Sequence, residues 1–251
     1  MGMKLRALSI ALLLATGLRA AGDFTFNVTA SGSGDNWVRV PDDSAFHLLV
    51  QGTISQWVRT SVAGGVTQYS IVRASPAAAN WRLSCTGSYL FDATGGAWTV
   101  GSGIEGCSDG VEDHVSGTFV IPTLAQINVA GIAIGTDTSV VTPPDPAVGP
   151  RIGGRSVTTN DIIDPASDHR GVIDVTRIFD RSLSFAERQK EACRQCKHRP
   201  VAGLIGNWAM RGPPGTNFGT NVIDWSITQA HGDGSDGTDP TYAESFLRGV
   251  R

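Results

Sequence analysis

The sequence predicts an all-β protein with one short helix towards its C-terminal end. Its 31 glycines and 12 prolines are spread between short β-branched and aromatic runs, the spacing of many strands joined by turns. Several runs alternate apolar with polar residues, led by Phe24–Val28 and Gly171–Phe179. Only one stretch, opening at Ser184, reads as a helix.

Taken in order, Met1–Ala21 carries Lys4 and Arg6, then an apolar run from Ala7 to Ala15, then small residues. The pattern fits a secretory signal, and it equally fits a retained N-terminal strand. Phe24, Phe26 and Val28 alternate with Thr25 and Asn27, a strand. Ser31–Asp35 is a turn, and Trp37–Asp42 a second strand ended by Pro41. Thr53–Arg59 and Trp81–Leu83 read as further strands. Phe119–Ile134 reads as two strands joined by a turn. Thr142–Pro150 is a proline-rich surface loop.

Gly171–Glu187 organises the rest. Val172, Val175, Ile178 and Phe179 are β-formers interrupted by Asp174, Thr176 and Arg177. Asp180–Ser182 turns the chain, and Ser184 with Glu187 has the spacing of a capping box. The helix is expected over Ser184–His198. After Pro200, Leu204–Met210 and Asp224–Ser226 resume strand-like sequence.

This stretch resembles the closing motif of laminin-G-like, concanavalin A-like jelly-roll domains. The matching residues are Gly171, Ile173, Asp174, Arg177, Ile178, Arg181, Leu183, Ser184 and Glu187, with Asp180 where the family usually has asparagine. The opening hairpin around Trp37–Asp42, the strand at Thr53–Arg59 with Trp57, the Trp81–Leu83 strand and Arg151–Gly154 resemble further parts of the same family. The W-x-H-V element usual in its middle is not evident. The resemblance spans about Phe24–Arg188 and implies a two-sheet antiparallel jelly-roll sandwich with one C-terminal helix and an extra C-terminal strand. The expected organisation is residues 1–21 as signal or strand, 22–199 as the sandwich, and 200–251 as a strand and tail. That tail resembles the lead-in segment of the family, displaced behind the closing motif. It is expected either to fold back on its own sheet or to serve self-association and docking.

The function classes narrow in the same way. A net charge of −3 gives no footprint for nucleic acid. No apolar run approaches the roughly 20 residues of a spanning helix. There is no G-x-S-x-G elbow, H-E-x-x-H or P-loop, and no alternating pair of acids on a predicted strand. Catalysis is not expected. The resemblance implies calcium at loop oxygens, with Asp35, Asn36 and Asp174 as candidates. Turn chemistry alone also accounts for Asp35 and Asn36, and Asp174 equally suits a backbone contact or a pair with Arg177.

The four cysteines allow three pairings. In an exported chain Cys85–Cys107 is the expected disulfide, with Cys193 and Cys196 as a second pair; idle thiols are the alternative in a reducing compartment. Among the tryptophans, Trp57 and Trp208 are expected in the core. Trp98, beside a glycine-rich loop, is the candidate for an exposed aromatic that stacks on a sugar. Asn27–Thr29 fits an N-glycosylation sequon. Two readings follow. One is a lectin-like extracellular or cell-surface module that binds glycan or protein through rim loops. The other is a decoration or fibre subunit on a virion or other assembly, with a glycoside hydrolase as a distant third.

Overall fold

The computed structural model describes residues 24–28, 37–60, 67–74, 79–93, 98–107, 110–146, 148–154, 169–193, 202–209, 226 and 241–244. These form fourteen strands and one α-helix. In chain order they are β1 (Phe24–Val28), β2 (Val38–Arg39), β3 (Gln51–Thr60), β4 (Gln68–Ala74), β5 (Ala79–Cys85), β6 (Ser88–Ala93) and β7 (Trp98–Gly106). Next come β8 (Glu112–Val120), β9 (Leu124–Val129), β10 (Ile132–Asp137), β11 (Arg151–Ile152), β12 (Gly171–Phe179), α1 (Phe185–Glu191), β13 (Leu204–Ala209) and β14 (Thr241–Glu244).

Two antiparallel sheets stack. The first has eight strands along the path β10-β9-β8-β3-β12-β1-β14, with β13 also on β12. The second has six, in the order β2-β11-β4-β5-β6-β7. Alternation decides which side chains fill the space between them. Ile54 and Val58 of β3, Val115 and Phe119 of β8, and Ile173 and Ile178 of β12 meet Ile71, Trp81, Leu83 and Phe91 of the second sheet in one core. Gly117 is required there, because a Cβ would stand 2.2 Å from the Phe91 ring.

The strand Gly171–Phe179 forms where its sequence predicts, but it is buried along its whole length where its broken alternation predicts a half-buried strand. One of its edges pairs with β3 from Gly171 to Phe179. The other edge is shared end to end by two strands. β1 takes Gly171–Ile173 and β13 takes Val175–Phe179. The described strands of the 200–251 segment, β13 and β14, therefore pair within the chain's own sandwich. β13 places Trp208 and Ile205 in the core, and β14 pairs with β1. Apolar residues at alternate positions gain more by closing the chain's own core than by waiting for a neighbour.

Helix α1 begins where expected. The Ser184 side chain accepts from the Glu187 backbone, and the Glu187 side chain accepts from the Ser184 N–H at 2.8 Å, a complete capping box. It stops at Glu191, with Ala192 as C-cap; residues 194–198 of the predicted span lie outside the described residues. The middle of the chain holds more strands than predicted. Phe119–Ile134 covers the end of β8, all of β9 and the start of β10, and the Trp37–Asp42 strand shrinks to Val38–Arg39.

Candidate functional site

Trp57 and Trp98 exchange the places expected of them. Trp98 is 2% exposed and stacks on Phe119 at 4.8 Å between ring centroids, with Phe91 at 5.7 Å. It starts β7 with its ring turned inward, so it cannot be the stacking aromatic. Trp57 is the one described tryptophan that is not buried. Its neighbours Gln56 and Val58 face the interior, so the period of two sends Trp57 to the outer face of the eight-stranded sheet. Arg59, two residues on, shares that face and is also half-buried.

The ladder decides what surrounds Trp57. On one side it lies directly opposite His114 of β8, and the two rings meet edge to face at 5.4 Å. One rung along, Arg59 lies opposite Glu112. On the other side Trp57 faces a bulge in β12. The pairing passes from Ile173–Val58 to Thr176–Gln56, leaving Asp174 and Val175 both opposite Trp57. Asp174 is fully buried. It also stands at the junction where β1 ends at Ile173 and β13 begins at Val175.

Beneath this platform the face is polar and closed by α1. His114 Nε2 lies 2.8 Å from Ser55 Oγ. Burial, followed by the nearby Arg177 charge, lowers the His114 pKa from 6.5 to about 3, so the ring is neutral at ordinary pH. Arg177 Nη1 donates to Glu191 Oε2 at 2.6 Å, and Arg177 Nε donates to Asn207 Oδ1 at 3.3 Å. Both members of the Arg177–Glu191 pair are buried, which ties the helix to β12. The Arg181 guanidinium, then the Ser184 N–H and hydroxyl, hold the Glu187 carboxyl down at about 2.

The outer face of the six-stranded sheet has a different chemistry. Arg82 and Asp92 lie directly opposite each other on β5 and β6 and form a two-point ion pair. The Arg82 guanidinium sits 5.5 Å from the Tyr69 ring centroid. Arg151 lies 5.6 Å from the Trp37 ring. At the rim, Arg73 and His47 bridge Asp42 and Asp145, and Asn80 donates to Pro144 O at 2.9 Å. These contacts pin residues 141–146 to the sandwich.

Of the calcium candidates, Asp174 is on β12 as described, while Asp35 and Asn36 lie outside the described residues. Among the described residues no three His, Cys, Asp or Glu side chains converge on a cation position. Cys85 and Cys107 form a disulfide. Cys193 is also disulfide-bonded, and Cys196 lies outside the described residues. No helix among the described residues is long and apolar enough to cross a membrane.

No protein-family model and no curated protein sequence matches the chain. Solved structures do. A proposed carbohydrate-binding protein from Bacteroides ovatus superposes with a TM-score of 0.62 at 12% identity, over 88% of this chain. The chain spans 59% of that protein's length. The native heptameric SAP-like pentraxin of Limulus polyphemus superposes with a TM-score of 0.59 at 17% identity, covering 88% of this chain and 94% of the pentraxin. The fold is a two-sheet antiparallel jelly-roll sandwich. At these identities the likeness is one of architecture, and function must be argued from the site.

Sequence reasoning missed Trp57 as a surface residue because its strand was read only as apolar and aromatic. The signal was present in register: Ile54 and Val58 fix one face, and Trp57 falls between them. His114 carries no local signal, because it lies before the predicted Phe119–Ile134 strands in a stretch that follows glycine- and serine-rich sequence.

Proposed function

We propose that the chain is a non-catalytic, laminin-G-like recognition module that binds glycan on the outer face of its eight-stranded sheet. The observation that carries this is the position of Trp57. A partly exposed indole on a rigid strand, with Arg59 two residues along the same strand and Glu112 opposite that arginine, offers a stacking plane with flanking donors and acceptors. The carbohydrate-binding description of the Bacteroides protein supports the same reading. Disulfide bonding of Cys85 with Cys107 supports action outside the reducing cytoplasm.

Binding without chemistry is supported by the surroundings of the serine–histidine contact seen among the described residues, Ser55 with His114. Ser55 and His114 are both buried, and His114 Nδ1 meets no carboxylate to complete a triad. A structural subunit that docks through residues 200–251 has less support, since β13 and β14 are taken up by the chain's own sheet. Calcium belongs to this proposal as a rim ion at Asp35 and Asn36 with Asp174; a rise in Tm when calcium is added to chelator-treated protein supports it, and an unchanged Tm removes it.

The test is a glycan array with the full chain, followed by titration of any hit with tryptophan fluorescence as the readout. Wild type is expected to bind and its emission to change; Trp57→Ala is expected to stay folded and lose binding. A hit retained by Trp57→Ala, or a full array without a hit, overturns the proposal.

A further inference from the structure

Under α1 a single row of polar side chains crosses five strands: Asn207 on β13, Arg177 on β12, Ser55 on β3, Ser116 on β8 and Asn128 on β9, each directly opposite the next. All are buried. His114 stands two residues from Ser116 on the same face of β8 and contacts Ser55. Four atoms of this set are buried without a protein partner: Arg177 Nη2, Ser116 Oγ, Asn128 Oδ1 and His114 Nδ1.

Buried polar atoms without partners are costly and rare, and here four share two adjacent rungs. Their chemistry selects the guest. Arg177 Nη2 can only donate and Asn128 Oδ1 can only accept, while Ser116 Oγ does either. An anion would sit against the Asn128 carbonyl oxygen, and a cation against the Arg177 guanidinium. An apolar group would leave all four unsatisfied. Water meets both ends of the row. The distance from β12 to β9 is about three strand spacings, roughly 14 Å, too far for one molecule.

We infer that the slot between α1 and this row is an enclosed hydration site, in which about two ordered water molecules hydrogen-bond Arg177 Nη2, Ser116 Oγ, Asn128 Oδ1 and His114 Nδ1 and dock the helix on the sheet. The helix then rests on the Glu191–Arg177 ion pair, on the hydrogen bond that Gln189 Nε2 donates to Ala130 O at 3.4 Å and on water.

A high-resolution crystal structure of the full chain tests this directly. Ordered water within hydrogen-bond reach of the four atoms is expected; finding the same atoms turned onto protein partners, or a dry slot, overturns it. In solution, long-lived water cross-peaks are expected to the amides of Ser116 and Asn128. Ser116→Ala, which adds no bulk, gives the second arm. In a hydrated slot it removes a water ligand, lowering Tm and weakening those cross-peaks. In a dry slot it deletes an unsatisfied hydroxyl and raises Tm, which would end the inference.

Discussion

Asp174 lies opposite Trp57 at a bulge: the strand that pairs with β3 carries one extra residue there, so two β12 residues, Asp174 and Val175, stand opposite one residue of β3. The bulge lies at the point where the opposite edge of β12 passes from β1 to β13. An irregularity in the central sheet, an aromatic left outside the core and a buried carboxylate thus coincide. Bulges re-aim side chains at sites where pairing is interrupted.

Trp57 and Trp98 are expected to respond oppositely to truncation. Trp98→Ala opens a hole between Phe91 and Phe119 and should cost about 3–5 kcal/mol in denaturant unfolding. Trp57→Ala removes a partly exposed ring and should cost less, while abolishing glycan binding. Equal destabilisation by both would place Trp57 back in the core.

Removing one partner of the Arg177–Glu191 pair should be severe. Glu191→Ala leaves a buried guanidinium beside β13 and is expected to cost about 3–5 kcal/mol. Replacing both residues by apolar ones of similar volume should recover much of the loss. Chemical unfolding of the two single variants and the double variant measures the coupling.

Acid should loosen the protein in two stages. Burial lowers His114 to about 3 and His169 to about 4, both below the ordinary 6.5. Their neutral forms are favoured in the fold, so this stability is complete above pH 6.5 and lost as pH falls towards 3 to 4. Glu187, held at about 2 by Arg181 and Ser184, contributes above its ordinary 4.5 and is lost below that, down to about 2. The His114 ring resonances should not move in an NMR titration from pH 8 to pH 5. Glu187→Gln should flatten only the lower stage of a stability–pH curve.

The Cys85–Cys107 disulfide closes a loop with a sequence separation of 22 residues. Chain-entropy arguments assign such a crosslink about 3 kcal/mol. A Cys85→Ser/Cys107→Ser double variant is expected to show that loss in unfolding midpoint while keeping the same far-UV circular dichroism. A midpoint equal to wild type would mean that packing of β5 against β6 and β7 already restrains the loop.

The closing strand, the capping box and the all-β class were legible because each depends on residues close in sequence. Val172, Val175 and Ile178 announce β12, and Ser184 with Glu187 announces α1. The candidate site was less legible. Trp57 becomes a surface residue only once Ile54 and Val58 are known to share the core, and His114 becomes its neighbour only through the β3–β8 register. Trp98 misled because glycines before it suggest a loop, whereas its ring is claimed by Phe91 and Phe119 from other strands. Leu204–Ala209 carried an apolar pattern, but nothing local to it says whose sheet it joins.

The shared edge of β12 also bears on synthesis. Part of that edge, Gly171–Ile173, is filled by residues near the beginning of the chain, and the longer part, Val175–Phe179, by residues 204–209. Until translation has passed that second segment, the central strand emerges from the ribosome with an open flank and with the pocket for Trp208 unfilled. The nascent chain must stay unaggregated over that interval, so folding yield should depend on chaperone supply more steeply than the finished molecule's stability would suggest.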